Sequence, residues 1–174
     1  MRGFRPRRRA LKGITMKILD KTALKEILKC AVETLFKTQP NIFCFTFETR
    51  QTEWNLAHHL ANEIHKDPVL SRFDCDLDVI KPNLDKKRPD IIFHKRGKPC
   101  ERGKPCENFL VVEMKRNGSR SKVGKDIRKI KKYWFGRRLH YQFGAVINIR
   151  DNKTYDVCVF SNPGLHSRAD EEGR

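Results

Sequence analysis

Three side chains in this 174-residue sequence have types and spacing suited to chemistry: Asp90, Glu113 and Lys115. Glu113 and Lys115 end an apolar run, "NFLVVEMKR", that reads as a buried strand. Side chains alternate along a strand, so the two share one face, about 7 Å apart. Met114 points the other way with Val112. "PDIIFHK" reads as the preceding strand, opening on Pro89 and Asp90. If the two strands pair, Asp90 lies beside Glu113 at one end of the sheet. Adjacent carboxylates repel and are stable at neutral pH mainly with a cation between them. Mg²⁺, or Mn²⁺ in its place, suits such a pair, because it takes hard oxygen ligands and keeps several waters. Lys115 could then orient or deprotonate a water, or stabilise charge on phosphorus oxygens. Together these groups describe phosphodiester hydrolysis. The plainer reading, a structural Glu113–Lys115 ion pair, leaves Asp90 unexplained.

The charge distribution points to the same substrate. The net charge is +17, and it is concentrated. Residues 1–15 hold six Arg and Lys and no acid. Residues 115–138 hold eleven against Asp126 alone, which leaves the rest of the chain at about +1. Such clustering favours a polyanion, with nucleic acid the expected partner. Arg116, Arg120, Lys122, Lys125, Arg128, Lys131 and Lys132 directly follow the candidate site and are positioned to track a phosphate backbone. A solvated basic face kept for solubility is the alternative.

No stretch approaches the ~20 apolar residues of a membrane span. Residues 1–15 lack the apolar middle of a secretory signal and read as a basic flexible arm. An organelle presequence, or a true start at Met16, would also account for them. The six cysteines then read as free thiols in a reducing, cytoplasmic setting. Residues 16–161 are expected to form a single domain, followed by a polar tail, 162–174.

The elements that must position the site follow from periodicity. Asp20 caps an amphipathic helix through Phe36 that ends before Pro40. "NIFCFTF" is apolar but ambiguous. A second helix starts near Thr49 or Thr52 and runs to His65, with Leu56, Ala57, Leu60, Ala61 and Ile64 as its apolar stripe. Glu53 shares that face. It is either a first-turn acid favoured by the helix dipole or a carboxylate aimed inward. "DCDLDVI", "PDIIFHK" and "NFLVVEMK" are three strands. Lys122 to Phe135 is a helix with Ile127, Ile130, Tyr133 and Trp134 on one side. "YQFGAVINI" and "YDVCVF" are two further strands about the turn "RDNKT". This order predicts an α/β sandwich on one mixed sheet. Residues 96–107 repeat "RGKPCE" in tandem, a tolerated loop duplication. Cys100 and Cys106 with His94 lack the short spacing of a zinc clip. His58, His59 and His140 read as ordinary residues, Tyr133 to Phe135 as packing, and Gly144 as a bend.

"RPDIIFH" and "NFLVVEMKR" resemble the PD-(D/E)XK nuclease superfamily, and "DIRKIKK" resembles the version seen in its small uncharacterised members. Pro89–Asp90 matches the PD half and Glu113-Met114-Lys115 the E-x-K half. The resemblance implies a restriction-endonuclease-like αβββαβ core, a central mixed β-sheet flanked by helices, spanning Thr52 to Ile149. It implies Mg²⁺ (or Mn²⁺) held by Asp90, Glu113 and the Met114 main-chain carbonyl. It implies Lys115 as a catalytic residue and favours an inward Glu53 on "TEWNLAHHLANEI". Relatives often carry a Gln four before a Tyr on the following helix. Lys129 stands there before Tyr133, which implies phosphate contact rather than catalysis. The expected function is a metal-dependent nuclease. The alternative is a catalytically silent nucleic-acid-binding module of the same fold. No second domain reads bases, which leaves specificity to DNA structure, a partner or a homodimer.

Overall fold

A computed structural model describes residues 19–42, 52–79, 87–97, 107–136 and 139–166. The expected N-terminal arm, residues 43–47, Cys100 and Cys106 lie outside them, as does the chain beyond 166.

Asp20 caps the first helix, α1 (Lys21–Thr38), its carboxylate accepting from the Ala23 N–H at 2.7 Å. Leu24, Leu28, Ala31, Val32 and Leu35 recur at helical spacing and are buried. The second helix, α2 (Thr52–His65), buries the expected stripe from Leu56 to Ile64. Both pack on one face of a five-stranded sheet, α1 against β5 and α2 against β1 and β3.

The strands are β1 (Asp74–Leu77), β2 (Ile91–His94), β3 (Leu110–Arg116), β4 (Phe143–Ile149) and β5 (Tyr155–Ser161), in spatial order β1-β2-β3-β4-β5. The β3–β4 pair is parallel and the other pairs are antiparallel. A parallel pair needs a crossover, and α3 (Arg120–Lys129) supplies it. Val112 and Met114 of β3 face the α1/α2 side. Val111 faces a second core built from Ile130, Trp134, Phe135 and Tyr141. A strand covered on both faces reads as a continuous apolar run, as this one does. The molecule is therefore α/β, a mixed sheet between helical layers.

Three local expectations change. The helix predicted through Phe135 stops at Lys129 and widens into a π turn, Ile130–Trp134, closed by the Phe135 N–H on the Ile130 carbonyl at 3.2 Å. The wider turn buries both Ile130 and Trp134. Gly144 is not a bend. A Cβ there would lie 2.6 Å from Ile130 Cγ2 and 2.7 Å from Phe160 Cε2, so glycine lets the π turn approach the strand. Asn162, expected to begin a loose tail, is 3% exposed. Its Nδ2 donates to the carbonyls of Phe135 at 3.3 Å and Tyr141 at 3.0 Å. Its Oδ1 accepts from the Gly164 N–H at 3.0 Å, opening a short helix, α4 (Pro163–His166). A buried amide that satisfies loop carbonyls is an anchor.

Gly144→Ala is expected to destabilise the protein by about 1–3 kcal/mol through overpacking, read as a lower urea midpoint with an unchanged slope.

Candidate active site

The β2–β3 register brings the acidic residues together. Ile91 is opposite Val112, and one further step along this register sets Asp90 opposite Glu113. Asp90 Oδ2 accepts from the Met114 N–H at 2.5 Å, which ties the end of β2 to β3. Glu113 points to the Val111 side of the sheet and is 2% exposed. Lys129 reaches it from α3, donating to Glu113 Oε2 and to the Arg88 carbonyl, both at 2.8 Å. The second carboxylate oxygen, Oε1, is buried with no hydrogen-bond partner.

Lys115 completes the group. Its Nζ donates to the Met114 carbonyl at 2.9 Å and lies 3.5 Å from both Glu53 Oε2 and Asp126 Oδ2. Glu53 Oε1 accepts from the Arg116 N–H at 3.3 Å. Glu53 thus reaches the site from the first turn of α2, but its side chain is 47% exposed and forms the rim rather than the floor. Asp126, missed as a site residue, stands three before Lys129 on the same helical face. It is the single acid in the basic segment, and that isolation was its signal.

The turn after β3 is pinned from β4. Asn148 is buried, pairs in register with Lys115, and clamps Gly118 in both directions. The Gly118 N–H donates to Asn148 Oδ1 at 2.8 Å, and Asn148 Nδ2 donates to the Gly118 carbonyl at 2.9 Å. A Cβ on Gly118 would lie 2.8 Å from Lys115 Cβ, so the turn presses directly on the lysine stem. Asn117 takes a positive φ of 50° and donates to Asp151 Oδ2 at 2.7 Å. In sequence, the one polar residue of "GAVINI" was the hint for Asn148.

The expected phosphate-contacting residues divide. Arg120, Lys122, Lys125, Arg128, Lys131 and Lys132 are exposed. Arg116 is instead largely buried, its Nε bound to Asp151 at 2.7 Å, and it holds the β3 turn. Lys129 is turned into the acidic group, not outward. His94, expected to be unremarkable, is buried and bonds Asp76 Oδ2 through Nε2 at 2.7 Å. Arg96 also holds Asp76, and this hydrogen bond leads in keeping the Asp76 carboxyl down at about 2. That cluster lies at the opposite end of β1 and β2 from Asp90.

Burial pushes the Asp90 carboxyl up, against the Met114 N–H bond and the Lys115 and Lys129 charges. Burial raises Glu113 to about 8, the Asp90 charge adds to it, and Lys129 opposes it. For Lys115, burial disfavours the ammonium, but Glu53, Asp126, Asp90 and Glu113 outweigh it and hold its pKa up. Lys115 is therefore a firm cation at neutral pH. It is suited to orienting a nucleophile or stabilising developing charge, not to removing a proton.

Among the described residues, no group of three or more His, Cys, Asp and Glu side chains could hold a metal ion. A magnesium-type site needs fewer, typically one or two carboxylates plus waters. Asp90 and Glu113 supply two such carboxylates, Glu113 Oε1 is buried without a hydrogen-bond partner, and the Met114 carbonyl already accepts from Lys115. The donor set fits the ion. Among the described residues, no helix is long and apolar enough to cross a membrane.

No family model matches the chain, and no curated protein matches it. A solved structure, "Crystal structure of SSO0001", is similar at 15% identity and a TM-score of 0.31, over 87% of this chain and 84% of that one. A likeness at that level carries no argument.

The raised carboxyls have a pH consequence. Between the unfolded Glu113 value near 4.5 and the folded value of about 8, the folded state holds the extra proton. Stability of the metal-free protein is therefore expected to fall as pH rises through that window. Urea titrations in EDTA should show this decline, and Glu113→Gln should flatten it.

Proposed function

We propose that this protein is a metal-dependent nuclease of the PD-(D/E)XK superfamily, hydrolysing phosphodiester bonds, with DNA as the expected polymer. The observation that carries the reading is Asp90 opposite Glu113 at one sheet end, with Glu113 Oε1 buried and unpartnered and the Lys115 ammonium alongside. The element order supports it: α2, three antiparallel-paired strands, the α3 crossover and a parallel β4 follow the αβββαβ sequence of a restriction-endonuclease-like core.

In this reading Asp90, Glu113 and the Met114 carbonyl hold Mg²⁺ or Mn²⁺. Bound there, the ion would activate a water and offset charge on the phosphoryl oxygens. Lys129 keeps Glu113 Oε2 engaged, and Oε1 is the carboxylate oxygen without a hydrogen-bond partner. Lys115 stays protonated and stabilises negative charge that develops at the phosphate. Glu53 and Asp126 hold that ammonium between them. The exposed cations of α3, from Arg120 to Arg128, carry the backbone phosphates past the site.

A second reading, a binding module that does not cut, draws on one observation. The ammonium groups of Lys115 and Lys129 already lie against the acidic group. It expects salt-sensitive binding that survives Asp90→Ala and yields no product.

Purified protein incubated with labelled DNA or RNA is expected to cut in Mg²⁺ or Mn²⁺ and to stop in EDTA. Asp90→Ala and Lys115→Ala should each lower the rate by about 100-fold or more. Cleavage that persists in both variants would rule out these roles.

A further inference from the structure

Trp54 is the one large apolar side chain left exposed among the described residues, at 63%. Its ring is stacked on His58, one helical turn on, with centroids 6.2 Å apart and planes 18° from parallel. It also directly follows Glu53, whose carboxylate touches Lys115 and the Arg116 backbone. A flat aromatic platform thus stands one residue from the candidate site.

The platform does not stand alone. His58 also lines a cleft of about 490 Å³ between α2 and β1. Its lining sets Arg72, Lys95 and Arg96 against the single acid Asp74, alongside Phe73 and Leu77. Arg72 is exposed there, and the Lys95 Nζ is held on the Arg72 carbonyl. From Glu53 to His65 the helix runs about 18 Å at its 1.5 Å rise per residue. Candidate site, aromatic pair and cationic cleft therefore follow one another along α2.

We infer that the Trp54–His58 pair and this cleft form a track for an unpaired strand, with Trp54 stacking a nucleobase beside the candidate site. The inference rests on the nucleic-acid part of the proposed function. Aromatic platforms interleaved with cations bind single strands because every base has a π-face to stack. In a duplex those faces are covered by neighbouring pairs, so an exposed ring on a helix flank has nothing to grip. The charged lining argues against an apolar protein partner, which would need a contiguous apolar patch. A DNA and an RNA strand share this chemistry.

The test uses the full-length protein in EDTA, so that no strand is cut. Single-stranded DNA, single-stranded RNA and duplex DNA oligonucleotides are titrated by anisotropy and by tryptophan fluorescence. The second tryptophan, Trp134, is fully buried, so quenching reports on Trp54. Single strands of one or both types are expected to quench it. Trp54→Ala should weaken their binding by about 5- to 100-fold, Trp54→Phe should retain most of it, and duplex binding should not change. Arg72→Ala should reduce the salt slope of single-strand binding by about one. Both side chains are exposed, so circular dichroism should show the variants folded. Unchanged single-strand affinity in Trp54→Ala, or binding without quenching, overturns the track and leaves the nuclease reading standing. An unchanged salt slope in Arg72→Ala overturns the cleft as its path. Failure to bind any polymer overturns the track and the nuclease reading together.

Discussion

A carboxylate buried on a strand that is covered on both faces is the constraint from which the rest of this structure follows. Glu113 is buried on the central strand β3, where an isolated charge is costly. The chain meets that cost with groups brought from far away in sequence. Because β3 and β4 are parallel, the chain must leave β3, cross a face of the sheet and return. The helix that makes this crossing delivers Lys129 to Glu113 and Asp126 to Lys115. The connection required by topology is therefore also the source of the countercharges.

The crossing works only if the turn that starts it is fixed. Gly118 lies against the stem of Lys115, and Asn148 grips its backbone from the neighbouring strand. Arg116 and Asn117 are both drawn to Asp151 in the β4–β5 turn. Some of the positive charge of this segment is thereby used inside the fold. What remains for an outside polyanion is the exposed row on α3, along with any contribution from the cationic cleft beside α2.

Local pattern carried much of this architecture. Alternation marked the strands, helical spacing marked α1 and α2, and Asp20 and Pro40 bracketed the first helix. Asp90, Glu113 and Lys115 were legible because strand periodicity and a simple register decide which side chains meet. The partners that come through tertiary packing were not. Whether Lys129 points outward or at Glu113 depends on how α3 is rotated, and the π turn after it sets that rotation against Gly144. Nothing within a few residues of Lys129 encodes it. Asn162 looked like a tail for the same reason, since its partners are 21 and 27 residues upstream. His94 is not legible in the sequence because Asp76 meets it only once β1 and β2 pair.

The charge balance of the site has a direction. Among the described residues, Lys115 and Lys129 are the ammonium groups set against Asp90, Glu113, Glu53 and Asp126, so with every group ionised two carboxylates are left over. Without another cation the protein reduces that excess by retaining protons, and burial decides where. Burial raises both the Asp90 and the Glu113 carboxyl. Under the nuclease reading, a dication held by Asp90 and Glu113 would supply the missing two charges and displace protons. A monovalent ion supplies half of them into a site that has already compensated by protonation. Under the nuclease reading, the same burial that raises Glu113 would favour a divalent ion over a monovalent one and would tie its affinity to pH.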